Sequence, residues 1–187
     1  MKKLILFVLL VGGICFAQAQ KIKGDASCLK GQSKINIMVV YDGVTYDGDS
    51  EAKYLKEEAK AKDPEWKAAW TSTFRTEKWS PRLIKDLNKE ISSKKMECGD
   101  FADAAYTVIV NIKDIDPGTF AGPMSVPCKI SGNVAFVKTN EKTPFATIEF
   151  KGISHNGFFM TPVIEDRVAE AMSCVGEMIG KNISKIK

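Results

Sequence analysis

Histidine is nearly absent from this chain. The 187 residues include one, His155, so centres built on several imidazoles have no material to work with. His155 stands in Ser154-His155-Asn156-Gly157, a polar turn where a solvent-facing ring is expected. No G-x-S-x-G or related context supplies it with a nucleophile, so hydrolase chemistry through His155 is not expected. The glycine patterns that cradle phosphates are missing as well, both G-x-x-x-x-G-K-[ST] and G-x-G-x-x-G. No cysteine pair has C-x-x-C spacing, which disfavours zinc knuckles and thioredoxin-type exchange. No cofactor and no metal site are therefore expected.

Charge of one sign is also lacking. Twenty-seven Lys and Arg stand against 23 Asp and Glu, a formal net charge of +4. Lys53, Lys56, Lys60 and Lys62 interleave with Glu57 and Glu58, the pattern of a solvated helix face and not of a nucleic-acid stripe. Beyond residue 19 no apolar run is long enough for a membrane helix.

What is present begins at the N-terminus. Lys2 and Lys3 precede an apolar stretch from Leu4 to Phe16, and Ala17-Gln18-Ala19 follows. A short positive region, an apolar core and small residues at −3 and −1 are the order of a secretory signal peptide. Residues 1–19 are thus expected to be removed, leaving Gln20 as the first residue of a periplasmic or extracellular protein. A lipid anchor on Cys15 would need a small residue before it, where Ile14 stands; outer-membrane association is the lesser alternative.

Four cysteines remain after that cleavage: Cys28, Cys98, Cys128 and Cys174. An even number outside the cytoplasm suggests two disulfides with three connectivities, against free buried thiols as the alternative. The strand order below favours Cys28 with Cys98 and Cys128 with Cys174.

Residues 20–34 form a polar N-terminal segment, and 35–187 a single domain. Ile35 to Tyr41 reads as a buried strand. Ser50 and Asp63-Pro64 mark helix starts, and Ser80-Pro81 repeats the signal for an amphipathic helix carrying Leu83, Leu87 and Ile91. Strands are predicted at Tyr106 to Lys113 and Val126 to Phe136 from their alternating apolar positions, and after Thr139-Asn140-Glu141-Lys142 a further strand at Phe145 to about Ile153 in a hairpin-like connection. Thr161-Pro162 opens a long final helix with Ile164, Val168, Ala171, Val175, Met178 and Ile179 on one stripe. The order β-α-α-β-β-β-α predicts an α+β fold, a mostly antiparallel sheet with helices on one face. Its first two strands, joined through helices, are expected to be parallel neighbours.

Two further groups are candidate sites. Trp66, Trp70 and Phe74 recur every four residues, with Trp79 nearby. They form either core or the wall of an aromatic pocket for a small ligand or glycan. Asp47, Asp49 and Glu51 imitate the start of a calcium loop, but Ala52 stands where the loop needs glycine. Asn182-Ile183-Ser184 matches a glycosylation sequon on a predicted helix.

The Ala17-Gln18-Ala19-Gln20 junction resembles the signal ends of secreted proteins from Bacteroidetes-type bacteria. The mature layout resembles small periplasmic α+β envelope domains: the amino-terminal domain of the Tol-associated β-propeller protein, and lipoprotein activators of peptidoglycan synthases. The similarity lies in the strand from Ile35 to Tyr41, the paired strands to Ile153 and the closing helix with Arg167-Val168-Ala169-Glu170-Ala171. It covers most of the mature chain, rests on element order and transfers no functional residue. It implies a noncatalytic envelope domain that binds a protein or surface component. A small-ligand carrier is the alternative and an enzyme the third reading.

Overall fold

The computed structural model describes residues 20–57, 59–155 and 161–186. The expected signal peptide lies outside the described residues. Strands run over Lys23–Gly24 (β1), Lys34–Val40 (β2), Thr45–Tyr46 (β3), Asp49–Ser50 (β4), Glu97–Gly99 (β5), Tyr106–Asp116 (β6), Lys129–Lys138 (β7) and Ala146–Ser154 (β8). Helices run over Glu51–Glu57 (α1), Pro64–Thr71 (α2), Ser80–Ile91 (α3) and Ile164–Ser184 (α4). The α+β class holds. The sheet, however, is mixed and not mostly antiparallel, with spatial order β1-β8-β7-β6-β2-β5. β2 lies parallel to both β5 and β6, and β3 parallel to β6, while β6, β7, β8 and β1 alternate antiparallel.

Two physical causes account for the difference. A strand that returns after a helical crossover lies parallel to its predecessor, and β2 is followed by helices before β5 and β6. The expected parallel pairing of the first two long strands is present, with Ile37 opposite Val108 and Val39 opposite Val110. The additional strands are two or three residues long, too short to leave a period in sequence. β1 shows that the polar N-terminal segment is built into the sheet, and Ala26 and Leu29 just after it are buried.

Period-two alternation decides which sheet face is covered. Ile35, Ile37, Val108, Val110, Ile112, Ile130, Val134, Phe136 and Ile148 point inward and are buried. On the other face Met38 is half exposed, and polar side chains pair across strands. Asn111 Nδ2 donates to Asn133 Oδ1 at 2.8 Å, and Asn36 Nδ2 to Thr107 Oγ1 at 3.2 Å.

The helical layer over the inner face is built on α3 against α4. Leu83, Leu87 and Ile91 from α3 meet Val168, Val175 and Ile179 from α4, all fully buried. Each such side chain taken out of water contributes roughly 1.5–3 kcal/mol. Close approach is set by glycine: a Cβ on Gly176 would lie 2.1 Å from the Leu83 carbonyl oxygen, and one on Gly180 2.7 Å from that of Leu87. Ser173 Oγ donates to Asp86 Oδ2 across the same seam at 2.6 Å, and Arg82 Nε reaches that oxygen at 3.0 Å.

Two helix starts follow expectation. Ser50 Oγ accepts from Lys53 N at 3.3 Å, and Asp63 Oδ1 from Trp66 N at 2.7 Å with Pro64 in the first turn. Two others differ. Ser80-Pro81 does not restart a helix, because Ser80 already has helical dihedrals and Phe74–Trp79 forms a π-helical turn running into α3. There Ser80 N bonds the Arg75 carbonyl, five residues back; the wider turn accommodates a proline that lacks an amide hydrogen. α4 has Val163 at its N-cap and no side-chain cap. Thr161 Oγ1 accepts from Val163 N at 3.2 Å instead, which closes the loop before the helix.

Candidate functional site

The aromatic stripe is largely interior. Trp70 and Trp79 have no exposed surface, and their ring centroids lie 4.9 Å apart, edge to face. Trp70 also packs on Trp66 at 4.6 Å, Tyr46 at 5.5 Å and Tyr54 at 5.4 Å. Trp66 and Phe74 are half-buried against this cluster. A ligand has no access to Trp70 or Trp79, whose faces are covered by other rings. The cluster instead holds the start of α4: Trp79 Nε1 donates to the Glu165 carbonyl at 3.0 Å, and Trp66 Nε1 to Glu165 Oε2 at 3.3 Å.

The acids resembling a calcium loop are engaged elsewhere. Asp49 pairs with Lys53 at 2.8 Å. Glu51 pairs with Arg75 and accepts from the Tyr46 hydroxyl at 3.0 Å. Asp47 occupies a left-handed turn position, φ 51°.

All four cysteines are free thiols, so the expected pairs Cys28–Cys98 and Cys128–Cys174 are not formed. Cys98 pairs with Ile35 on the β5 side of β2. Cys28 neighbours Tyr106 of β6, whose ring turns toward Phe145 at 5.7 Å. β5 and β6 flank β2 on opposite sides, so the strands beside the two thiols lie at different edges of β2, with Cys28 itself in the turn that precedes it. Burial pushes the Cys98 thiol up to about 12, and it raises Cys128 further.

Cys174 has a different neighbour. Its Sγ lies 3.9 Å from His155 Nδ1, a pairing between residues that sequence spacing gave no reason to connect. Burial, and then Glu177, push this thiol up to about 11. It is protonated at neutral pH, the reverse of an activated nucleophile.

The feature absent from the sequence reading is an apolar tip. Among the described residues the exposed large hydrophobic ones are Met38, Phe120, Met124, Val126 and Val163, and of these all but Met38 belong to two loops. Phe120, Met124 and Val126 stand between β6 and β7, and Val163 stands just before α4. Arg167 ties these loops together although it is only 6% exposed. Its Nε donates to the Pro117 carbonyl at 3.2 Å, its Nη2 to Gly118 at 3.4 Å, and its Nη1 to Thr161 and Pro162 at 3.2 and 3.0 Å.

The longer loop is itself ordered by hydrogen bonds. Thr119 and Val126 exchange backbone bonds at 3.0 and 2.9 Å. Ser125 Oγ accepts from Ala121 N at 3.0 Å and donates to the Gly122 carbonyl at 2.7 Å. Gly118, at φ +64°, admits no side chain, because a Cβ would lie 2.2 Å from the Val126 carbonyl oxygen. Met124 is 81% exposed at the crest. Sequence held one signal for this site, four apolar residues within the turn-forming stretch from Pro117 to Pro127, which ordinary turn composition does not require.

A cavity of about 690 Å³ lies elsewhere, between the N-terminal segment, the end of β8 and the second half of α4. Asn182, the sequon residue, lines it and donates to the Met178 carbonyl at 2.9 Å. Among the described residues no group of His, Cys, Asp and Glu is arranged to hold a metal ion. No helix among them is long and apolar enough to cross a membrane. No known protein family, no curated protein and no solved structure matches the chain.

Proposed function

We propose that this chain is an exported, noncatalytic domain of the cell envelope that binds a partner protein through its apolar tip. The observation that carries the reading is the concentration of Phe120, Met124, Val126 and Val163 on two loops fastened by Arg167. Contiguous exposed apolar surface on a folded domain marks an interaction site. Each of these side chains, desolvated in a complex, contributes roughly 1.5–3 kcal/mol before association costs. Two features give the tip a fixed shape, the internal bonds of the loop and the Arg167 clamp, so little ordering is left to pay for on docking. The raised Cys174 thiol and the single histidine argue against catalysis at the other polar cluster.

Export is supported by the order of residues 1–19. The form recovered from the envelope should begin at Gln20 by N-terminal sequencing; an intact Met1 start there would remove the export reading. For the tip, a photo-reactive phenylalanine analogue at position 120 should yield one crosslinked protein species in intact cells. The same analogue at position 85, exposed on α3, should yield none, and Met124→Ser should weaken the adduct several-fold. Equal crosslinking from both positions, or none from position 120, would refute the proposal. Met124→Ser should leave stability within about 0.5 kcal/mol, as for other exposed sites.

A further inference from the structure

We infer that the cavity beside α4 is a binding site for an amphiphile with one apolar chain and an anionic head. Its volume, about 690 Å³, is in the range of small-molecule sites. Ile22, Ile153, Met178 and Ile186 line it, and each also packs against the hydrophobic core, so the floor is apolar and anchored. The rim carries Lys21, Lys181 and Lys185, with Asp25 and Glu177 as its acids.

The charges on that rim are not equally engaged. Glu177 holds Lys181 at 3.0 Å. Asp25 accepts from Ser27 N at 2.9 Å, and that bond holds its carboxyl below the usual range. Both acids thus have local partners, whereas Lys21 and Lys185 are exposed and have no ion-pair partner among the described residues. An apolar floor below two uncommitted ammonium groups matches a hydrocarbon chain ending in a carboxylate or phosphate. A cationic head would meet like charge there. β1 pairs with β8 only at Ala146 and Thr147, so among the described residues no strand covers that edge of β8 at Ile153, which lines the cavity.

Calorimetric titration of the full chain tests the assignment. Decanoate below its micelle concentration should bind at least tenfold more tightly than decyltrimethylammonium. The Lys21→Glu, Lys185→Glu double variant should lose that preference by about tenfold. Met178→Trp, which fills the floor, should abolish binding with an unchanged urea midpoint; should it lower the midpoint, Asn182→Trp narrows the same groove from the next turn. Phe120→Ser at the tip should change none of this, which separates the inference from the docking proposal. Binding to phosphatidylglycerol vesicles but not to decanoate, lost in the double variant, would place the anionic chain in a lipid. Equal binding of both head groups, binding that survives both tryptophan variants, or binding to neither decanoate nor the vesicles would overturn the inference.

Discussion

Arg167 works against the field of its own helix. It stands in the first turn of α4, where the macrodipole disfavours a cation, and it has almost no contact with water. Four carbonyl oxygens from two loops compensate for that position. Hydrogen bonds to a charged group contribute about 1.5–3 kcal/mol, and buried carbonyls left unpaired add their own cost. Arg167→Met is therefore expected to lower unfolding free energy by about 3 kcal/mol. Limited proteolysis should then cut first between Pro117 and Pro127, which wild type resists; unchanged cleavage kinetics would show that the clamp does not order the tip. The sequence shows an arginine at the start of an apolar helix, and only the path of two distant loops reveals its partners.

At the scale of elements, the α3–α4 seam decides how the helical layer sits. Ser173, Gly176 and Gly180 make a path of small residues along α4. The apolar period marks the neighbouring stripe of Val168, Ala171, Val175 and Ile179, and it does not foretell that backbone atoms of α3 lie against the glycines. Gly176→Ala should therefore destabilise, although alanine is the better helix former by about 1 kcal/mol. Its methyl meets the Leu83 carbonyl, and overpacking of this kind costs about 1–3 kcal/mol. Urea denaturation measures the sign: a rise in midpoint would mean the helices separate freely. The π-helical turn at Phe74–Trp79 is a similar case. A serine before proline resembles a new cap locally, but in the folded chain the helix continues through it, with Trp79 held on the Glu165 carbonyl.

Across the whole molecule, burial of weak acids makes the fold sensitive to alkali. Burial, and then Glu97, push the Cys98 thiol up to about 12. Burial likewise pushes the Tyr41 phenol up to about 12 against the opposing effects of Ser80 and Arg75. In the unfolded chain such groups titrate near about 8.5 and 10. Above those values the unfolded state has released protons that the folded state still holds, so unfolding free energy falls with rising pH. This contribution is complete below about pH 8.5 and is lost as pH climbs through about 12. Urea midpoints should decline steadily above pH 9; a flat profile to pH 11 would contradict the burial of these groups.

The sequence by itself determined the long elements and the covered sheet face. Alternation in β6, β7 and β8, and the stripe of α4, are periodic properties that local chemistry imposes on any fold. Its four-residue spacing also grouped Trp66, Trp70 and Phe74, whose rings pack together although α2 ends at Thr71 and Phe74 opens the π-helical turn. Tertiary structure alone decided the rest, because each remaining feature joins residues far apart in the chain. It placed β5 beside β2 and β3 beside β6, both parallel, turning an expected mostly antiparallel sheet into a mixed one, and added β1 at the edge of β8. It left Cys28 and Cys98 as free thiols, brought His155 to Cys174, and gathered two loops around Arg167. Pairing across such distances is set by the common burial of several elements, for which no local pattern exists to be read.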